Sequence, residues 1–561
     1  MKPVVSVGKQ NFLSIRTNQY FYIDKTNFIR EWWEAGDDVT LLTRPRRFGK
    51  TLNMSMVECF FSNKYKERGD LFEGLSIWED EKYRNLQGTY PVIFLSFADI
   101  KQQNYEDAIW NIKEILANLY NEHFYLSEWE GLTPNERKQF TSVGREMDDV
   151  TAQTSIKNLC CYLSRYYQKK VIVLLDEYDT PMQEAYLGGY WEEFTQFIRS
   201  MFNSTFKTNP YLERAIMTGV TRVSKESIFS DLNNLRVITT TCNEYATYFG
   251  FTEQEVFAAL EEFDLGDRKQ DVKDWYDGFT FGKYTDIYNP WSITYFLKEK
   301  KLASYWTNSS SNGLVDSLIR TGNSTVKKKM ESLLQGNTIT VELDEQVIFN
   351  QLQKKKNAIW SFLLASGYLK VVHTTFGEAS GKREYELALT NKEVTLMFQE
   401  MISEWFDTEE DDYNGFVRAL LKGNVKEMNA YMNEVALATF SMFDTGKQPS
   451  MRSQSERFYH GFVLGLLVEL RGDYEVISNS ESGLGRYDVM ICPLTPDLPA
   501  FVLEFKVIDD TEEKTLEDTV KAAHRQIEEM KYDTRLLERG IKKEQIRHYG
   551  FAFEGKKVLI G

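Results

Sequence analysis

The chain has 561 residues with a formal net charge of −16; 42% are hydrophobic, 27% charged and 14% aromatic. That is too long for one hydrophobic core, so two to four domains are expected, and the mix excludes a largely disordered chain. The acidic balance excludes binding of nucleic acid through the overall field, leaving only local basic patches for that purpose. The five cysteines form no Cys-x-x-Cys pair, which argues against a disulfide framework or a zinc site and for a reducing compartment. The first residues lack the apolar core of a signal peptide, and no uncharged apolar run approaches the roughly 18 residues of a membrane span. A cytoplasmic protein without a membrane partner is expected.

In residues 1–290 short apolar runs alternate with helical stretches. VTLLT (39–43), YPVIFLSF (90–97), KVIVLLD (170–176) and RAIMTGV (214–220) show no polar alternation, which suits parallel strands buried on both faces. Helices are expected between them, as at 105–124 and 192–206, so this zone reads as an α/β domain with a parallel sheet flanked by helices. In residues 291–445 apolar residues recur every three or four positions, as in WSITYFLKEK and NGFVRALLKGNVKEMNAYMNEV. A mostly helical middle region is expected there, interrupted by one hairpin, YLKVVHTTF with REYELALT. Residues 446–561 return to α/β: a helix SERFYHGFVLGLLVEL, strands YEVISNS, RYDVMIC and AFVLEFKV, a helix TLEDTVKAAHRQIEEMKY and a last strand HYGFAFEGKKVLI.

VTLLTRPRRFGKTLNMS reads as strand, loop and helix. Its Gly49-Lys50-Thr51 ends a phosphate-binding loop: Gly49 lets the backbone approach phosphate, Lys50 reaches the outer phosphates and Thr51 offers a hydroxyl to Mg²⁺. The full pattern, G-x-x-x-x-G-K-[ST], asks for glycine at position 44, where Arg44 stands. Five apolar residues, Val171–Leu175, deliver Asp176 and Glu177 to a strand end. There the first acid can hold the Mg²⁺ shell and the second can activate water. Thr218, Thr221 and Arg222 come at the end of a third strand, where a polar group can read the outer phosphate and an arginine can balance charge. A basic surface loop and a solvated acidic turn are the plain alternatives, and each explains one piece but not both.

TRPRRFGKTL, YFYIDKT, VIVLLDEYDTP, TGVTRVSKESIFSDLNNL, FGFTEQEV and WYDGFTFG followed by IYNPWSI together resemble the bacterial AAA-ATPase-like family, related to the STAND-type ATPases, over about residues 5–295. The resemblance implies ATP and Mg²⁺ as cofactors and adds Arg46 and Arg47 to the nucleotide site. It also accommodates Arg44, because family members often read RPRRFGK, and it implies that Tyr20–Asp24 lies near the nucleotide.

In the last zone Asp488 opens one apolar strand, and Glu504 and Lys506 share a face of the next because strand side chains alternate. Two carboxylates and a lysine at one edge suit Mg²⁺-dependent phosphodiester hydrolysis. Glu504 opens one of six Glu-x-Lys triplets, but the one inside an apolar strand with an acidic strand just before it; a charged pair there costs burial energy unless it has a metal or a partner. An internal ion pair is the alternative. The order of elements resembles the PD-(D/E)XK nuclease superfamily over about residues 450–555, a restriction-endonuclease-like α/β fold. The resemblance implies that Glu456 joins the metal shell and that Gln526 supports the site.

The whole chain therefore reads as an ATP-binding module that controls a nuclease. ATP and nucleic acid, DNA before RNA, are the expected partners, and self-association into a homo-oligomer stays open. Residues 446–561 hold 17 Lys and Arg against 20 Asp and Glu, so only a local groove of Arg452, Arg457, Arg486, Lys521 and Arg525 is available for nucleic acid. The rival reading is a nucleotide-sensing scaffold whose nuclease-like fold binds DNA or protein without cutting.

Overall fold

The computed structural model describes residues 2–561 except 223–228, 230–231, 310–311, 323, 344–356, 378–381, 405–414, 440–462, 465, 468–469, 471–472, 483–484, 496–497, 509–512 and 555–556. The chain forms two compact units, Met1–Ser311 with Thr340–Val394, and Asn312–Ile339 with Thr395–Gly561. Residues 291–445 are thus shared between the two.

In the first unit five parallel strands, β1 (Val39–Thr43), β2 (Val92–Ser96), β3 (Val171–Asp176), β4 (Leu212–Gly219) and β5 (Leu235–Ile238), lie in the order β2-β3-β4-β1-β5. The first four are the apolar runs legible in the sequence. Strand β5 was not, because it lies at the sheet edge and only Ile238 is fully buried. Every residue of β1 and β3 is buried, as expected of parallel strands covered on both faces. On one face Leu42, Ile172, Leu174 and Ile216 pack with Trp32, Phe60 and Phe61, the last two from the helix Lys50–Phe61 that follows β1. All strands run the same way, so the ends of β1, β3 and β4 open on one edge of the sheet, where α/β folds bind ligands.

A small sheet of β6 (Phe251–Thr252), β7 (Phe279–Phe281) and β8 (Tyr284–Tyr288) follows in the order β6-β8-β7. Beyond it β9 (Ile339–Glu342), β10 (Leu369–Gly377) and β11 (Lys382–Leu389) form a sheet ordered β10-β11-β9. The β10–β11 pair is the hairpin expected from YLKVVHTTF and REYELALT.

The second unit is built on β12 (Tyr474–Ser482), β13 (Gly485–Pro493), β14 (Ala500–Val507), β15 (Ile546–Glu554) and β16 (Lys557–Ile560), in that order, with β14 and β15 parallel and the other neighbours antiparallel. The parallel pair needs a crossover, and the helix Leu516–Glu529 lies in it. HYGFAFEGKKVLI, expected as one strand, is two: Glu554 pairs with Lys557 and the chain doubles back, since the charged stretch at 554–557 interrupts the apolar run. The helix expected over 455–470 lies largely outside the described residues. On one face of the sheet Ile491, Phe501, Leu503, Phe505 and Phe551 pack with Phe416, Leu420, Met428 and Met432; on the other Met490, Ala500 and Val502 pack with Ile527 and Leu536.

Strand β16 is an edge with free backbone groups, a hazard unless they are satisfied. Asn429 and Asn433, one turn apart on the helix Val425–Thr439, supply that need. Asn429 exchanges two hydrogen bonds of 2.8 Å with the backbone of Ile560, and Asn433 donates to the Val558 carbonyl at 2.7 Å while accepting from its N–H at 3.0 Å. No helix among the described residues is long and apolar enough to cross a membrane.

Candidate functional site

Strand β1 feeds the loop Arg44–Gly49, and the helix Lys50–Phe61 starts at once with Gly49 as its N-cap at φ +79°. A Cβ on Gly49 would meet nothing within 4 Å, so the left-handed backbone, not space, requires glycine there. Arg47 also has positive φ, 66°, a strained setting for a side-chain residue that its surroundings must hold. Its guanidinium lies 4.2 Å over the Trp291 ring and donates to the Ser309 carbonyl at 3.4 Å. Arg46 reaches the other way, donating to Gln183 at 3.2 Å. Lys50 is buried, and its ammonium donates to the Arg44 and Pro45 carbonyls at 3.1 and 3.0 Å. Burial lowers its pKa, against the attraction of Glu177, Asp176 and Asp179.

Arg44 is fully buried. It donates to the carbonyls of Thr43, Thr239 and Glu244 at 2.9, 2.8 and 3.1 Å and lies over the Phe281 ring. Its backbone is not left-handed, so the position does not call for glycine. The motif around β7 closes over the loop from outside: Phe48 packs edge-on against Phe279 and Phe281, and the Arg46 carbonyl accepts from the Trp306 indole at 3.0 Å. YFYIDKT touches the same helix through Tyr22, whose hydroxyl donates to the Met56 sulfur at 3.3 Å.

Asp176 ends β3 and is fully buried. Its Oδ1 accepts from the Thr218 hydroxyl, while Oδ2 is buried with no hydrogen-bond partner among the described residues. Burial raises its pKa, and the Thr218 and Thr51 hydroxyls pull it back. A buried carboxylate oxygen without a partner, beside a threonine hydroxyl in the first turn of a helix, fits a hard cation; Asp176 and Thr51 therefore suit Mg²⁺. Glu177 turns the chain at φ +51°, and its carboxylate accepts from Thr180 at 3.2 Å. Thr218 is itself buried, its hydroxyl engaged by Asp176 and by the Glu177 N–H at 3.4 Å. Arg222 makes no hydrogen bond to any described residue of the loop or of this edge.

Asp179, in VIVLLDEYDTP, has no role that the sequence foretells. It is buried, and its Oδ2 accepts from the backbone of Val220 and Thr221 at 3.0 and 2.7 Å and from the Thr221 hydroxyl at 2.8 Å. With Tyr178, whose hydroxyl donates to the Thr221 carbonyl at 2.8 Å, it clamps the end of β4 to the acidic turn. The only local signal was a third acid following Asp176-Glu177.

In the second unit the Val489–Leu503 pair brings Asp488 on β13 level with Glu504 on β14. Asp488 Oδ2 accepts from the Phe505 N–H at 2.9 Å. Glu504 is 3% exposed, and one amide joins it to Lys506: Gln526 donates to Glu504 Oε1 through Nε2 and accepts from Lys506 Nζ at 2.7 Å through Oε1. Gln526 also donates to the Tyr532 hydroxyl at 3.2 Å. Burial, then the charges of Glu504 and Asp488, raise the Tyr532 pKa against that bond. Tyr532, expected as the last residue of the helix, lies beyond its end at Glu529, and no spacing in the sequence joins it to Gln526. Two carboxylates on adjacent strands, one buried and tied to a lysine, also fit a divalent cation. Glu456, Arg452 and Arg457 lie outside the described residues, and Lys521 is exposed near Asp518.

A third acidic group, Glu253, Asp277 and Asp286, is closed by the Lys273 ammonium, which pairs with all three, and reads as an ion-pair knot.

Residues 6–229 match the family model described as a predicted AAA-ATPase, AAA-ATPase-like, and residues 454–561 match that of the PD-(D/E)XK nuclease superfamily. A chain of Azotobacter chroococcum mcd 1, an uncharacterized protein in the vnfD 5' region, is 27% identical over 303 residues, 54% of this chain and 53% of that one. This chain thus spans about half the length of that relative. The Aeropyrum pernix ORC2 protein, solved as ADPNP–ADP complexes, aligns at 10% identity and a TM-score of 0.21, over 67% of this chain and 92% of its own; so slight a likeness adds nothing to the fold read from the strand order. The chain carries an AAA-ATPase-like domain at residues 6–229 and a PD-(D/E)XK nuclease superfamily domain at residues 454–561.

Proposed function

We propose that the first unit binds and hydrolyses ATP with Mg²⁺, and that this controls a Mg²⁺-dependent phosphodiesterase in the second unit that acts on nucleic acid, DNA in the first instance. Lys50 exchanges its two loop carbonyls for the outer phosphates, and the N–H groups of the following helix face the same anion. Thr51 and Asp176 hold the cation, with Thr218 fixing the Asp176 carboxylate; Glu177 orients the attacking water. Arg46, Arg47 and Arg222 supply positive charge around the phosphates. In the second unit Asp488 and Glu504, with Glu456, hold the cation, and Lys506 orients phosphate or water from a position set by Gln526. At both sites bound Mg²⁺ neutralises phosphate charge and makes water a stronger nucleophile.

The observation that carries this reading is the Glu504–Gln526–Lys506 bridge beside Asp488. An internal ion pair would need no mediating amide, whereas a bridging amide leaves the lysine and the acid as separate groups side by side. The test is cleavage of plasmid and single-stranded DNA with Mg²⁺ or Mn²⁺, with and without ATP. Cleavage that depends on ATP is expected, lost in Glu504→Ala and uncoupled from ATP in Lys50→Ala. Binding of DNA that survives Glu504→Ala, with no cutting by the unaltered chain, would establish the scaffold instead.

A further inference from the structure

Glu393 lies between the two segments that match family models, and nothing in the nucleotide chemistry above uses it. Yet it is fully buried, which is costly for a carboxylate unless several donors serve it. Its Oε1 accepts from the Trp306 N–H at 2.7 Å and its Oε2 from the Ser292 hydroxyl at 2.9 Å. The backbone N–H groups of Tyr305 and Thr307 also face it. The stretch 305–307 is therefore wrapped around one carboxylate.

Trp306, in the middle of that stretch, extends its indole N–H to the Arg46 carbonyl at 3.0 Å. Its ring is wedged edge-on against Phe279 and beside Tyr368. Asn289, which caps the helix bearing Ser292, reaches the same Arg46 carbonyl at 3.5 Å. Three residues after Trp306, the Ser309 carbonyl accepts from Arg47. The backbone of the phosphate loop is thus held from outside by a segment 260 residues away, itself held by a carboxylate 87 residues beyond.

We infer that Trp306 and Glu393 form a latch that sets the backbone of the loop Arg44–Gly49, with Glu393 a positioning residue for nucleotide binding although it touches no nucleotide. The two act in series: Glu393 fixes 305–307, and Trp306 fixes Arg46. Loss of either link takes the indole donor from the same carbonyl and leaves it only the longer bond from Asn289, so losing both adds little to losing one. The nucleotide part of this inference rests on the function proposed above.

The test uses the full chain with Trp306→Phe, which keeps a ring but removes the donor, with Glu393→Gln, and with both. Amide hydrogen exchange over residues 44–53 is read without nucleotide, and binding of a fluorescent ATP analogue with Mg²⁺ is read beside it. Faster exchange in each single variant is expected, with affinity lowered about threefold to tenfold, as for one lost hydrogen bond. The double variant should be no weaker than the weaker single one. Global unfolding by urea separates this from mere destabilisation, which would leave the affinity of the folded protein unchanged. Unchanged exchange in Trp306→Phe, or affinity losses that add in the double variant, would overturn the latch. If the unaltered chain binds no nucleotide the proposed function fails, and the exchange result alone then decides the latch.

Discussion

At residue scale the energetics centre on buried charge. Arg44 replaces the glycine of the common phosphate-loop pattern, yet it satisfies three carbonyls, that of the neighbouring Thr43 and those of Thr239 and Glu244 on a distant segment, and burial brings its pKa down to about 10. Arg44→Gly, which restores the common pattern, would strand those carbonyls. It should lower the unfolding free energy by about 2–4 kcal/mol, read from the urea midpoint, with no gain in nucleotide affinity. Glu393 makes the complementary case. Burial pushes its carboxyl up to about 7 from an ordinary 4.5, against the pull of its donors. Between those values the folded chain holds more of the proton than the unfolded one, so stability is full below the lower value and falls as pH rises to the upper. The loss is at most about 3 kcal/mol, levelling above it. Urea unfolding from pH 4.5 to 8 should show that slope, and Glu393→Gln should flatten it.

At the scale of elements the second site depends on how one helix meets one strand. Gln526 on the helix Leu516–Glu529 ties Lys506 and Glu504 of β14 together. Gln526→Ala should leave the fold, read by circular dichroism, but cut Mg²⁺-dependent cleavage on the order of 10- to 100-fold, as loss of groups that orient metal ligands does. The Asn429 and Asn433 ladder performs a purely structural task on the edge strand β16. Replacing both with alanine strands four backbone groups. Unfolding of the second unit should become easier by about 2–4 kcal/mol, and light scattering should show more aggregation as the edge opens.

At the scale of the molecule the first unit is discontinuous in the chain. A fragment of residues 1–290 would end before Trp306, Ser309, Gly367 and Glu393. Gly367 matters because it lies at φ +87°, and a Cβ there would come within 2.8 Å of the Pro45 ring. Thermal unfolding should therefore give the 1–394 fragment a midpoint roughly 5–10 °C above that of 1–290, since several buried hydrogen bonds and ring contacts separate them. Equal midpoints would mean that residues 291–394 add nothing to the nucleotide fold.

What the sequence by itself determined is what is local. Unbroken apolar runs marked β1 to β4; β1 and β3 are covered on both faces and tolerate no polar alternation, whereas β2, at the sheet edge, buries only alternate residues. A glycine before a helix start marked the candidate phosphate loop, an acid at the end of β3 marked the first candidate site, and acids inside two neighbouring apolar strands marked the second. Period-two spacing put Glu504 and Lys506 on one face. The tertiary structure alone decided which way Arg44 turns, that Asp179 clamps β4, that Tyr532 completes the Gln526 network, and that HYGFAFEGKKVLI reverses on itself. It alone joined Arg46 to Trp306 and Trp306 to Glu393. The reason is physical: helices and strands leave a periodic trace in neighbouring residues, whereas a hydrogen bond between distant segments leaves none, since any buried donor can meet any acceptor that the fold brings to it.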